Sequence, residues 1–377
     1  MAKQICCRCI MDNINDPDLY FNSNGVCNHC QKFESELEKI ERIGDKKIYL
    51  DKLFEEIRNS AGNKKYDCII GISGGVDSSY LCYVAKQNNL RPLLVHFDNG
   101  WNTEIAVNNI TKIVKSTGFD LYTWVIDWEE MRDLQLAFFK AHVVDLELPY
   151  DYALITASYK VAEKHNIKYV LTGHNLVTEG TYLPKSWRHD KTDIVNIRSI
   201  HKLFGQVRWK TYPWYGFIKQ RLVFNRLKVI YPLDYMEYSA KQARETIIKE
   251  LGWVSYGGKH GENIFTRFYQ GYILKEKFGI DKTQFHLSVQ VQSGRITREE
   301  ALKLYESSSY APELLKNDRE FVLKKLGLSE QEFTTYLNTP RKEHSDYPTI
   351  KRYWDVYFKV VKMVKPILKP LRYLKRG

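Results

Sequence analysis

No stretch of this chain approaches the roughly 20 consecutive apolar residues needed to span a bilayer. Its opening, Met1-Ala2-Lys3-Gln4-Ile5-Cys6, lacks the apolar core of a signal peptide. A cytoplasmic protein is therefore expected. Proline and glycine are sparse, 11 and 21 of 377 residues, which excludes collagen-like and low-complexity classes, and 44% hydrophobic with 27% charged residues fits a folded globular chain. Cysteine is also scarce at seven, and in a reducing compartment disulfides are not expected. The most unusual absence is of acid. From Ile194 to Leu233 there is no Asp or Glu, while Arg198, Lys202, Arg208, Lys210, Lys219, Arg221, Arg226 and Lys228 all fall there. Such a stretch is expected to face an anion. Most of the formal +12 charge sits in a tail, residues 351–377, where nine Lys or Arg meet only Asp355. Charge so localised fits a terminal helix packed with a solvated basic face, docking on an acidic partner or docking on an anionic membrane surface, and not a nucleic-acid groove running along the chain.

The length suggests two or three cooperating units. Residues 1–32 carry Cys6-x-x-Cys9 and Cys27-x-x-Cys30, too short a segment for a core without a metal. Two such pairs suit tetrahedral Zn²⁺, and four thiolates would leave no open position, so the metal is expected to be structural. Cys7 and His29 remain alternative ligands. Residues 33–62 read as a solvated connecting helix, Phe33 to Arg58, rich in Glu and Lys. From 63 to 236, short apolar runs alternate with helical ones, at Cys68 to Ile72, Pro92 to Phe97, Leu121 to Ile126 and Lys168 to Leu171. That alternation predicts an α/β fold with a doubly wound parallel sheet. Residues 237–350 read as helices only, and the basic tail follows from 351.

The strongest motif is Ser73-Gly74-Gly75-Val76-Asp77-Ser78-Ser79, directly after a strand and directly before a helix. Two glycines let the backbone turn and present N–H groups, the serines add hydroxyls, and a helix N-terminus favours negative charge. These residues suit a pyrophosphate cradle. A Walker A loop would need a lysine at different spacing, and a dinucleotide fingerprint a third glycine. The string resembles the PP-loop of ATP pyrophosphatases, which split ATP between the α and β phosphates. Asp77 is then expected to hold Mg²⁺ beside the departing pyrophosphate. The same resemblance implies that Phe97 and Asp98 line an adenosine pocket, that Gly173 and His174 form a second nucleotide loop, and that Glu179 is a further magnesium ligand.

Together with the cysteine pairs, Ile200-His201-Lys202, Tyr256-Gly257-Gly258-Lys259-His260, Phe265-Thr266-Arg267-Phe268 and Ser293-Gly294-Arg295-Ile296-Thr297-Arg298, the loop resembles the N-acetyl sugar amidotransferase family of bacterial lipopolysaccharide O-antigen and pseudaminic acid synthesis. The likeness covers about residues 3 to 310. It implies that ATP adenylates the acetamido oxygen of a nucleotide-linked sugar and that ammonia then replaces it, giving an acetamidino sugar, AMP and pyrophosphate. It also implies a separate glutaminase subunit similar to that of imidazole glycerol phosphate synthase, with or without a cyclase-like subunit. Arg198, His201 and Lys202 are expected to stabilise charge on the transferring phosphates. Lys259, His260 and Arg267 are expected to bind substrate.

Two rival readings differ in class. A tRNA thiolase that carries sulfur on the protein needs an accessible cysteine, and beyond the quartet only Cys7, Cys68 and Cys82 remain, the last two in apolar positions. A non-catalytic RNA-binding module would need surface aromatics among Lys and Arg, which only the tail provides.

Overall fold

The computed structural model of the protein describes residues 2–181, 183–256, 261–308, 310–351, 353 and 354. Two helices follow the cysteine module, α1 (Asn28–Glu41) and α2 (Lys46–Ala61). The single helix expected from Phe33 to Arg58 is thus two. Gly44, at φ +79°, turns the chain between them, and Asp45 caps α2 by accepting the Ile48 amide at 2.9 Å. Nor is α2 a solvated connector, because Leu50, Leu53, Phe54 and Ile57 are buried against the helices of the sheet domain.

The chain then runs β1 (Cys68–Gly71), α3 (Val76–Gln87), β2 (Pro92–Asp98), α4 (Glu104–Thr117), β3 (Asp120–Val125), α5 (Trp128–Ala141), α6 (Leu148–Lys164), β4 (Tyr169–Leu171), α7 (Leu176–Glu179), α8 (Ile194–Phe204), α9 (Phe217–Arg226), β5 (Lys228–Ile230) and α10 (Ala240–Leu251). Among the described residues the five strands are all parallel, in the order β3-β2-β1-β4-β5. Side chains alternate across β1 as a strand requires. Cys68 and Ile70 join the cluster made with α2, α3, α4 and α10, while Ile69 joins Leu93, Val95 and Val170 against Val161 and Ala162 of α6. Both faces are covered, and the doubly wound α/β expectation holds. Chain order reverses between β1 and β4, so their carboxyl ends form the switch point where ligands of such sheets bind.

The C-terminal region is helical, as expected. It runs α11 (Ile264–Phe268), a π turn at Tyr269–Ile273, α12 (Leu274–Phe278), α13 (Lys282–Gln292), α14 (Arg298–Ser307), α15 (Pro312–Leu326) and α16 (Glu330–Asn338). Strand β5 and helices α13 and α15 were not legible. β5 is three residues inside a basic stretch, and α13 buries Gln284 and Ser288 beside Phe285 and Val289, which blurs any one-sided stripe. The boundary expected at 236 does not separate two cores: α10 packs on α3 and α4, and the cysteine module shares one apolar cluster with α5, α6, α8 and the C-terminal helices. The basic tail beyond Trp354 lies outside the described residues, as do Lys259 and His260.

Candidate active site

The Ser73 loop leaves the carboxyl end of β1 and enters α3 with Gly75 as its N-cap. Ser73 Oγ accepts the Gly75 amide at 3.2 Å, and the Ser78 and Ser79 hydroxyls donate to the Gly75 carbonyl at 3.3 and 2.6 Å. Gly74 has φ +80°, and a Cβ there would lie 2.6 Å from the Ala106 carbonyl oxygen of α4, so the turn requires glycine. The Trp253 indole donates to the Gly74 carbonyl at 2.8 Å. Carbonyls of the loop are thus occupied by the protein, while first-turn amides of a helix lack intrahelical acceptors and remain available to an anion.

The end of β4 meets this loop directly. A Cβ on Gly173 would lie 2.8 Å from the Asp77 carbonyl carbon and the Ser78 nitrogen, so the two nucleotide loops expected from sequence are in contact. His174 is exposed, its ring edge-on to Tyr231. The Thr178 hydroxyl and the Tyr238 hydroxyl both donate to the Asp77 carboxylate, the former at 3.4 Å. Arg295 in turn donates to the Tyr238 carbonyl at 3.0 Å. Glu179 is half-buried at the end of α7. At the end of β2, Asp98 accepts the Gly100 amide at 3.0 Å. Phe97 is buried and presents its ring to Tyr150 instead of to solvent.

Ser73 and Tyr150 lie in the wall of a cavity of about 230 Å³. The rest of its lining is charged to a degree no motif signalled: Asp145, Glu147, Asp151, Glu262, Arg188, Lys191 and Lys282 all reach it. Lys191 bridges Asp145 and Asp151, 2.7 Å from each. Burial alone would raise the Asp145 carboxyl, but Lys191 outweighs it and holds the group below its usual range. Glu147 accepts from the Thr266 hydroxyl at 2.5 Å and the Gln270 amide at 2.8 Å, and burial raises its carboxyl. Burial likewise lowers the Lys282 amine, against the attraction of Glu147. The signal for this site was faint: Asp145 and Glu147 interrupt an otherwise apolar run from Val143 to Leu148.

At the other end of the chain's path, Cys6, Cys9, Cys27 and Cys30 are buried with all four thiols within 4.8 Å of one another. The Arg8, Cys9 and Cys27 amides point at Cys6 Sγ, at 3.4, 3.5 and 3.3 Å, a donor set that favours a thiolate. The quartet is therefore arranged to hold a metal ion. Neither alternative ligand joins it, since His29 pairs with Asp16 at 2.8 Å and the exposed Cys7 thiol donates to the Asn24 carbonyl at 3.1 Å. Arg298 donates to the carbonyls of Cys6 and Cys9 at 3.2 and 3.1 Å, and Asn15 to Gln284 at 2.5 Å, so α13 and α14 seat the module.

The region that supplies those seats matches a family model described as LPS biosynthesis protein WbpG-like, C-terminal domain, over residues 262–362. No curated protein matches the sequence. Among solved structures, the NMN synthetase from Francisella tularensis is similar at 15% identity over 75% of this chain and 97% of that chain, with a TM-score of 0.36. The NH3-dependent NAD synthetase from Campylobacter jejuni is similar at 12% identity over 78% and 97%, with a TM-score of 0.34. The architecture rests on the strand order β3-β2-β1-β4-β5 itself.

Several expected site residues are engaged elsewhere. Arg267 faces away from the cavity that Thr266 and Gln270 line, and pairs with Asp318 through two hydrogen bonds of 2.6 and 2.7 Å. On α8, Ile197 and Ile200 are buried, which turns Arg198 and Lys202, four residues apart, to the outside. Arg198 lies over the Trp214 ring, and His201 bonds Asp133 of α5 at 3.0 Å. None of the three lines the cavity at Ser73. The acid-free stretch does face an anion, but one of the chain's own: Glu130 accepts the amides of Lys210, Thr211 and Tyr212 at 2.8 to 3.1 Å, and Asp133 those of Gln206 and Val207.

Proposed function

We propose that the chain is an ATP-dependent amidating enzyme of bacterial surface polysaccharide synthesis. In this reading it adenylates the acetamido oxygen of a nucleotide-linked N-acetyl sugar and lets ammonia displace AMP, leaving an acetamidino sugar. The observation that carries the reading is that the anion-cradling loop from Ser73 to Ser79 opens into the charged cavity through Ser73 itself. The WbpG-like match supports the polysaccharide context.

An amide carbon is a poor electrophile until its oxygen becomes a leaving group. The acetamido oxygen would attack the α phosphorus of ATP, and pyrophosphate would leave against the amides of α3 and the Ser73 hydroxyl, with Ser78 and Ser79 holding the loop through the Gly75 carbonyl. Asp77, with Glu179 nearby on α7, would hold the Mg²⁺ that neutralises the pyrophosphate. In this reading Asp98, Gly173 and His174, at neighbouring strand ends, would border the nucleoside, with Phe97 packed against Tyr150. The quartet would hold a structural Zn²⁺. Ammonia would come from a glutaminase subunit. Cys68 and Cys82 are wholly buried with thiols pushed up by burial, which disfavours a sulfur carrier and hence the thiolase reading.

The deciding experiment is incubation with ATP, ammonium and candidate diacetamido sugar nucleotides. A product about one dalton lighter by mass spectrometry, the difference between C=O and C=NH, with AMP as nucleotide product, is expected. ADP as product overturns the assignment.

A further inference from the structure

Three carboxylates on one short stretch, Asp145, Glu147 and Asp151, reach the cavity, and they are not equivalent. Lys191 neutralises Asp145 and Asp151 by direct contact. Glu147 is held, among the described residues, by neutral donors only, the Thr266 hydroxyl and the Gln270 amide. Those two donors fix its position from α11 and from the π turn at Tyr269–Ile273, a local widening of the helix that recurs at functional sites. A buried carboxylate without a contacting cation costs free energy that an arriving cation or proton recovers. Resting on the reading above, the reaction supplies such a species, because it turns a neutral amide into a cationic amidinium within the same cavity.

We propose that Glu147 is the general base of the amination half-reaction and the seat of the amidinium product. Ammonia donates its lone pair to the carbon of the adenylated, N-protonated imidate, forming the C–N bond and an –NH₃⁺ adduct. Glu147 takes one proton from that nitrogen. The freed lone pair then expels AMP as the C–O bond breaks, and the product is the acetamidinium cation beside a protonated Glu147, which returns its proton to water. No oxidant or further reactant is needed. The raised carboxyl of Glu147 suits this role, because a buried base gains a proton more readily than an exposed one. The charged and titratable groups that line the cavity with it are Asp145, Asp151, Tyr150, Arg188, Lys191, Glu262, Tyr269 and Lys282.

Two measurements on the full chain test this. First, acetamidinium chloride serves as a product probe in calorimetric titration. The wild type is expected to bind it and Glu147→Gln to bind it about tenfold more weakly or worse, as loss of a charge-assisted contact demands. Equal binding by both, or no binding by the wild type, overturns the cation seat. Second, amidine formation in Glu147→Gln is expected to fall by about 10²-fold or more, and to fall further than substrate-dependent ATP–pyrophosphate exchange does, with partial recovery in Glu147→Asp. Amidine formation within about threefold of wild type, or equal losses in both readouts, overturns the base. Absence of exchange in the wild type with every acetamido sugar would instead sink the proposed function, while the acetamidinium titration still decides whether Glu147 seats a cation.

Discussion

The Tyr238 hydroxyl donates to the Asp77 carboxylate, and the Tyr238 carbonyl accepts from Arg295, so the acid at the start of α3 is tied to the sequence around Ser293 through one residue. Burial and the Asp77 charge together push the Tyr238 phenol up, so it stays a donor at all working pH values. Asp77→Ala is expected to lower AMP formation by about 10²-fold or more while leaving bound zinc unchanged, since the quartet is a separate cluster. Chromatography of the nucleotide products beside elemental analysis checks both halves.

Gly173 offers a steric test of the contact between the two loops. Gly173→Ala places a methyl group 2.8 Å from backbone atoms of Asp77 and Ser78, which cannot rotate away. A loss of about 1–3 kcal/mol in stability by denaturant titration is expected, with a larger fall in activity than in stability. An alanine variant of wild-type activity would show that the loops are not in register as described.

The cysteine quartet should be structural. Cys27→Ser is expected to lose its metal and to lower the thermal midpoint, because so short a module depends on its metal to fold. Arg298→Ala should lower the midpoint while retaining zinc, since it removes the seat and not a ligand. A stable, active, metal-free Cys27→Ser protein would refute the structural role.

His344 predicts an acid limit. Its Nδ1–H donates to Asn196 Oδ1 at 2.7 Å while Nε2 accepts the Asp145 amide at 3.3 Å, an arrangement that only the neutral ring satisfies. Burial drops its pKa to about 3, below the ~6.5 of an unfolded histidine. The unfolded chain therefore takes up a proton that the folded chain refuses, so this contribution is complete above pH ~6.5 and is lost as pH falls toward 3. At pH 5 the loss is on the order of 2 kcal/mol. His344→Gln should flatten the slope of stability against pH between those limits in denaturant titrations.

The isolated chain should use ammonium but not glutamine. A glutaminase nucleophile needs an accessible thiol with a base. Cys68 and Cys82 are buried, the quartet is committed, and the exposed Cys7 has the Asn24 carbonyl as partner. Glutamine-dependent turnover by homogeneous protein would overturn this and the inferred ammonia-supplying partner.

The local chemistry of this protein was legible in its order of residues. The glycines of the Ser73 loop, the alternation of strands and helices, and the paired cysteines each impose geometry over a few positions, and each stands where it was expected. The order of residues could not say which charges meet. Arg198, His201 and Arg267 looked available because their partners are distant in sequence: the Trp214 ring for the first, Asp133 for the second and Asp318, 51 residues on, for the third. Basic runs also hid β5, whose three residues are strand only because β4 lies beside them. The cavity belongs wholly to the tertiary structure. Its walls come from the end of β1, from the loop after β2, from α6 and the residues before it, from the segment 183–191, and from α11, the π turn and α13, so Glu147 and Lys282 share a low-dielectric space though 135 positions apart. Burial, which no linear pattern states for a charged residue, is what raises one and lowers the other.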